Sequence, residues 1–389
     1  MKALVKKVAG AVLQSAFSVC KIKENKIMFE TCTGEIKDHP KAFYDYVKNH
    51  NINDFEFKWA VTKGRNTQGI ESSEIVYKRT LGYYYHLMTS KYWMRTHSVD
   101  NIVKKREGQI YIQLWHGPGA TKKEGYDIKG RLVNTGETMP HAREWDYYIA
   151  TDWPSKEYIK TALNLTIPRL LLGSCRSDVL VNMDKNLMPV LKERLGIKPG
   201  EITILYAPTF RENDFHLDKI ELPIKKLCQM ENVRVILRVH PEVKNRMDIT
   251  EYGASVIDGN CFSDIYELYM ASDIMITDYS SVSIEYSLLR RPILYYMYDL
   301  EEYIKERDFY FDYLEHLSGP IIKTEDELIN AVENIDEVQQ QYAEQYEEYF
   351  KRYNEKNDGH VCERFYQLLK MGFFENPGNE ELPLFKEET

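Results

Sequence analysis

The chain has 389 residues, too many for one ordinary hydrophobic core, so two domains are expected. Its 43% hydrophobic content is that of a globular protein, and a formal net charge of −9 argues against broad nucleic-acid binding. Six cysteines without a C-x-x-C pair fit reduced thiols rather than a disulfide frame or a zinc site.

No window approaches the ~20 apolar residues of a membrane span. The N-terminus, MKALVKKVAGAVLQSAFSVCKIK, has basic flanks around a weak apolar run. Gln14 and Ser15 interrupt that run and Lys21 and Lys23 close it, which disfavours a signal peptide. An amphipathic helix is expected instead, packed on the surface or lying at a membrane interface. It would place Leu4, Val8, Val12 and Phe17 roughly on one side, with Lys2, Lys6 and Lys7 nearby.

Residues 26–31 and 55–61 read as strands on either side of a helix from Pro40 to Asn49, the β–α–β rhythm of a Rossmann-like half. Residues 78–93 carry Leu81, Tyr84, Tyr85, Leu87 and Met88 at helical spacing and are expected to form one helix. Residues 109–115 form a strong strand candidate that runs into Trp-His-Gly-Pro-Gly. The glycines and proline set a tight loop in which the backbone at Gly117 can approach a ligand. His116 lies just past the strand's carboxyl end, where active sites of open α/β sheets sit. A strand at 146–151 precedes a helix that starts near Thr151 or Asp152, with Pro154 in its first turn. The expected domains are 1–178 and 179–355, with 356–389 a C-terminal helix and frayed tail.

The second half opens with a buried strand at 202–206, broken by Ala207-Pro208-Thr209, with Arg211 at its mouth. A helix over 219–230 leads to a strand over 233–239 that ends in His240-Pro241, with Arg238 on the same face as His240. A short strand at 255–258 and a helix over 262–270 come next. Then Ile274-Met275-Ile276 form a strand, Asp278, Tyr279, Ser280 and Ser281 follow, and Val282, Tyr286 and Leu289 continue at helical spacing. Ser280 and Ser281 sit where N-cap residues belong. A helix start at a parallel strand's carboxyl end, with two hydroxyls, suits a phosphate. Taken alone, these residues fit an ordinary capped helix better, because capped helices are common and DYSS is only four residues. A strand at 293–297, a helix over 300–307 and helices from 325 to 369 complete the chain.

P-loop, dinucleotide-binding and nucleophile-elbow signatures are absent, and no carboxylate/histidine cluster has metal-ligand spacing. No cofactor and no metal are therefore expected.

Taken jointly, Trp115–Gly117, Tyr206–Glu212 (YAPTFRE), Arg238–Pro241 (RVHP) and Thr277–Tyr286 (TDYSSVSIEY) resemble the CDP-glycerol:poly(glycerophosphate) glycerophosphotransferases of teichoic acid synthesis. The resemblance spans about residues 75–325. It implies a GT-B-like α/β architecture: two Rossmann-like domains with parallel sheets facing across a cleft. The C-terminal half would bind CDP-glycerol or CDP-ribitol. The N-terminal half would meet an undecaprenyl-diphosphate-linked acceptor at the cytoplasmic face of the membrane, as a peripheral protein. On this reading His116 accepts the acceptor hydroxyl's proton and His240 acts with it. Arg211, Arg238 and His240 hold the pyrophosphate, and Ser280 and Ser281 seat its oxygens. Gly117 and Thr209 complete the substrate contacts, while Asp278 and Glu285 orient neighbours or bind donor hydroxyls. Glu285 replaces the family's usual Asp, and Cys175 stands at the Pro of a G-x-P-R-x-D motif (Gly173–Asp178). With no large N-terminal extension, addition of one or few units is expected. A nucleotide-sugar GT-B glycosyltransferase and a membrane-surface scaffold of wall-polymer assembly are the alternative readings.

Overall fold

The computed structural model describes residues 2–97, 102–119, 121–130, 133–184, 186–209, 223–239, 250–262, 264–306, 308–311, 313–376 and 378–383. Arg211 and His240 lie outside the described residues. The chain divides into two compact units, Met1–Asp178 with Lys356–Thr389, and Val179–Glu355.

The first unit contains β1 (Lys23–Glu30), β2 (Glu56–Val61), β3 (Ile75–Tyr77), β4 (Ser90–Arg95), β5 (Ile110–Gln113), β6 (Tyr147–Ala150) and β7 (Arg169–Leu171). They pair in the order β3-β2-β1-β4-β5-β6-β7, every pair parallel. The second unit contains β8 (Ile202–Tyr206), β9 (Val233–Leu237), β10 (Val256–Asp258), β11 (Ile274–Thr277), β12 (Ile293–Tyr296) and β13 (Ile321–Ile322). Their order is β10-β9-β8-β11-β12-β13, again all parallel. Strands such as β6, β11 and β12 are buried along their whole length, as apolar runs covered on both faces must be. In each sheet the strand order reverses once, between β1 and β4 and between β8 and β11. Such switch points open a crevice at the strands' carboxyl ends.

The stretch 78–93, expected as one helix, is two elements. Thr80 caps a helix over Leu81–Thr89, its hydroxyl accepting the Tyr83 N–H at 3.1 Å. At the other end the Thr89 and Ser90 hydroxyls donate to the carbonyls of Tyr85 and His86, each at 2.7 Å. Hydroxyls that bond back to the preceding turn bend or end helices. Tyr92, Trp93 and Met94 then bury side chains on both faces of β4, next to β1 at the centre of the sheet. The helix after Ser281 is also shorter than its spacing predicts: Val282–Tyr286 is α-helical, and Ser287–Leu289 tightens into a 3-10 turn ended by left-handed Arg290. Of the expected helix over 219–230, the described part is Ile224–Leu227.

The motif Gly173–Asp178 builds the first unit by catching the returning C-terminal segment. Gly173 has φ +100°, and a Cβ there would lie 2.7 Å from the Lys356 carbonyl oxygen, so glycine is required. The Ser174 N–H donates to Asn357 Oδ1 at 2.7 Å. Asp178 accepts the N–H groups of Val361 and Cys362 at 3.1 and 2.8 Å, capping the helix Val361–Lys370. That helix puts Val361, Phe365 and Leu368 into the core beside Phe29 and Phe43. Cys175 is buried in the same cluster.

The N-terminal helix, Lys2–Ser18, docks on the first unit through Gly10, whose added Cβ would meet the Ile102 carbonyl at 2.1 Å. Arg106 donates to the carbonyls of Ser18 and Cys20 at 2.7 and 2.8 Å, a cation placed at the helix's negative end. Val5, Val8 and Val12 stay 55 to 63% exposed, a solvent-facing stripe beside exposed Lys6 and Lys7.

Candidate functional site

In the first unit the chemistry gathers at strand carboxyl ends. After β5 the chain turns sharply at Trp115, whose φ of +56° is strained for a residue with a bulky side chain. The turn is held from several sides. The Trp115 N–H donates to the Gln113 side chain at 3.1 Å. Its indole lies 6.0 Å from Trp145, edge-on, and 6.1 Å from Tyr148. The far end of the loop is latched by Asp152, the buried N-cap of the helix Trp153–Leu163. Its carboxylate accepts the Gly119 N–H at 2.7 Å, the Thr151 hydroxyl at 2.7 Å and the Ser155 N–H at 2.8 Å. Burial pushes the Asp152 carboxyl above the usual range, and these donors work against that shift. Sequence marks Asp152 only as a helix start. Its hold on Gly119, across adjacent strands, has no local signal.

His116 stands between these anchors. The residue is exposed at the surface, and its ring is flanked by Trp115 at 4.7 Å and His97 at 5.7 Å between ring centroids. Desolvation by the surrounding protein and then the neighbouring His97 lower its pKa, so the neutral, proton-accepting form prevails at neutral pH. Gly117 is half-buried, and an added Cβ would meet no atom within 4 Å. Around them lie Arg176, paired with Asp38 at 2.8 Å, and buried His39. Burial, with help from Arg176 and His116, pushes His39 down to about 3. At the switch point itself, fully buried Glu30 pairs with fully buried Arg95 at 2.9 Å and with Lys78 at 2.7 Å. The Arg95 guanidinium rests 4.9 Å from the Trp93 ring and 5.2 Å from Tyr111. Of these groups only Arg176 lies in a linear motif, Gly173–Asp178.

In the second unit Asp278 follows β11 and is buried. Its carboxylate accepts the Thr209 N–H at 2.9 Å and the Tyr279 N–H at 2.6 Å, and so ties the loop after β8 to the end of β11. The Thr277 hydroxyl adds a bond to the Ala207 carbonyl at 2.7 Å. Ser280 and Ser281 are half-buried at the start of Val282–Tyr286. Ser280 Oγ accepts the Val282 N–H at 3.4 Å, whereas Ser281 makes no side-chain cap. Glu285 is buried, receiving the hydroxyls of Tyr266 at 2.7 Å and Tyr269 at 3.3 Å. Both carboxylates are held by donors from neighbouring segments. Arg238 Nη1 donates to the carbonyls of Gly259 and Phe262 at 2.5 and 2.6 Å, so one arm of the guanidinium braces the segment after β10.

Among the described residues no group of three His, Cys, Asp or Glu side chains could hold a metal ion. No described helix is long and apolar enough to cross a membrane.

Two parallel sheets of one strand order, each with polar groups at its switch point, define an α/β fold of the GT-B-like kind. The chain belongs to the CDP-Glycerol:Poly(glycerophosphate) glycerophosphotransferase family, whose model matches residues 12–370. It is 29% identical to the teichoic acid poly(glycerol phosphate) polymerase of Staphylococcus epidermidis, over 90% of this chain and 51% of that one. It therefore spans about half the length of that relative. It is also 29% identical to the teichoic acid glycerol-phosphate transferase of Staphylococcus aureus, over 95% of this chain and 99% of that one. Proteins named as ribitol-phosphate polymerases are similar at 27 to 29% identity. A solved structure of the wall teichoic acid polymerase TagF superposes with a TM-score of 0.82 at 28% identity, covering 96% of this chain and 98% of that one.

Proposed function

We propose that the protein transfers glycerol phosphate from CDP-glycerol to a lipid-linked teichoic acid acceptor, adding one or few units. The acceptor hydroxyl oxygen attacks the phosphorus that carries glycerol. The bond from that phosphorus to the bridging oxygen breaks, and CMP leaves with the electron pair. His116, neutral at working pH, takes the hydroxyl proton. Phosphoryl transfer needs positioning and charge stabilisation more than covalent help. The observation that carries this reading is the rigid seating of His116 on a doubly anchored loop at a strand's carboxyl end. The second unit holds the donor, with Ser280, Ser281 and Thr209 near the β8/β11 switch point, and Arg211, His240 and the second arm of Arg238 neutralising the pyrophosphate. The first unit meets the acceptor. The exposed valine stripe and its lysines support peripheral binding at the cytoplasmic membrane face, where the undecaprenyl-diphosphate carrier resides.

The test is CMP release from CDP-glycerol. It is expected to fall by about 10²–10⁴-fold in His116→Ala and His240→Ala proteins whose melting curves remain cooperative. Wild-type turnover in both variants refutes the assigned roles. The ribitol-phosphate relatives favour a second reading, transfer from CDP-ribitol. Mass analysis of products made from each donor decides between them.

A further inference from the structure

The loops that follow β3, β4, β5 and β7 each bring a basic side chain to one edge of the first sheet: Lys78, His97, His116 and Arg176. Two carboxylates accompany them, Glu30 on Lys78 and Asp38 on Arg176. Glu30 is also held by Arg95, and the other carboxylates at these strand ends, Asp152 and Asp178, are committed to backbone N–H groups. The imidazoles of His97 and His116 face each other at 5.7 Å, with His97 half-buried and His116 exposed at the surface. Arg176 is held by Asp38 at 2.8 Å, and the Asp38 backbone that presents it sits at φ +61°, a strained conformation for an aspartate.

We infer that His97 and Arg176 form a phosphate subsite beside His116 that binds the phosphodiester next to the attacking hydroxyl of the acceptor. The inference rests on the transferase reading and names what the acceptor must carry. In a glycerol phosphate chain end, three carbons separate the free hydroxyl from the preceding phosphate. That span is comparable to the 5.7 Å between the two imidazoles. With the hydroxyl at His116, its phosphate reaches His97 as a hydrogen-bond donor, and Arg176 supplies the permanent charge. The free site keeps His97 neutral: burial, then the charge of Lys78, lower its pKa. A bound anion reverses that balance, so the ring gains a proton as the phosphate arrives. Acceptors without a phosphate at this spacing lose one anchor and present the hydroxyl less often to His116.

The experiment titrates the full chain with glycerol 3-phosphate by calorimetry, with CDP saturating so that the donor side is filled. Wild type is expected to bind it. His97→Gln and Arg176→Gln are each expected to weaken binding about tenfold, the loss of one charge-assisted hydrogen bond. Neither should change the affinity for CDP measured alone. Glycerol 3-phosphate affinity unchanged in His97→Gln overturns the subsite, as does absence of binding to wild type. His97→Gln keeps the inference testable if Arg176→Gln, which breaks the Asp38 pair, fails to fold. Failure of the transferase reading gives a different result: no CMP is formed from CDP-glycerol, whatever the glycerol 3-phosphate affinity.

Discussion

Asp152→Asn is the most telling single change, because it exchanges one oxygen of the latch for an amide nitrogen without touching His116. The amide keeps one oxygen for the Ser155 N–H and replaces the other with an N–H₂ group. The Gly119 N–H, 2.7 Å from that carboxylate oxygen, then faces a donor. A hydrogen bond to a charged acceptor contributes about 1.5–3 kcal/mol. For a unit of this size, each kcal/mol moves the melting point by about 2–4 °C. We therefore expect a drop of about 3–12 °C. The effect on chemistry should be larger than stability alone dictates. Gly119 closes the loop that carries His116, and a misplacement of about 1 Å can cost about 10²-fold in rate. The assay is single-turnover CMP release well below the melting transition, in wild type, Asp152→Asn, His116→Ala and the double variant. If the latch acts through His116, Asp152→Asn slows wild type about 10²-fold and slows His116→Ala by far less, the signature of coupled residues. A lowered melting point with unchanged turnover would refute the reasoning, leaving Asp152 as a helix cap and nothing more.

Three further outcomes follow from the same geometry. His39 is buried with its pKa down at about 3, against 6.5 for an ordinary histidine. The unfolded chain takes up a proton below pH 6.5 and the folded one does not, so stability falls as pH drops from 6.5 toward 3, by up to about 1.4 kcal/mol per pH unit. Urea titrations across that window should show a shallower fall in His39→Leu, and an unchanged slope would contradict the assignment. The lowered pKa of His116 implies that kcat/KM loses activity only below pH 6.5, with an acid limb that His116→Ala lacks. A limb centred above 6.5 would point to another base. Replacing Val5, Val8 and Val12 with serine should reduce sedimentation with anionic vesicles while the affinity for CDP stays at the wild-type level. Equal sedimentation would remove this stripe from the membrane contact.

Much of the fold could be read from the chain because parallel strands buried on both faces are short apolar runs. Residues 202–206, 233–239 and 274–276 declare themselves this way. β4 did not, because Leu81–Met88 supplies a helical pattern that runs straight into it. Only the hydroxyls of Thr89 and Ser90, folded back on the preceding turn, divide the two. His116 was legible because a strand, a glycine-rich loop and an imidazole stand in sequence. His97, His39 and Asp38 were not, and Arg176 stood out only as part of Gly173–Asp178, since their relation to His116 exists only after β1, β4, β5 and β7 are laid side by side. The role of Gly173–Asp178 was equally hidden. Its partners, Lys356, Asn357, Val361 and Cys362, come from a segment more than 170 residues later.

The two buried aspartates at strand ends show how a carboxylate can serve a site proposed to hold phosphate. A carboxylate facing a phosphate would repel it. Asp152, after β6, instead accepts the N–H of Gly119 from the loop after neighbouring β5. Asp278, after β11, accepts the N–H of Thr209 from the loop after neighbouring β8. In both sheets the charge is turned inward and satisfied by backbone donors, which fixes one strand-end loop against the next. A loop pinned in this way cannot relax when charge develops nearby, so its dipoles and side chains are already oriented before the substrate arrives. Each aspartate therefore contributes by rigidity, and conservative replacement by asparagine should be more harmful at these two positions than at any exposed acid on the same loops.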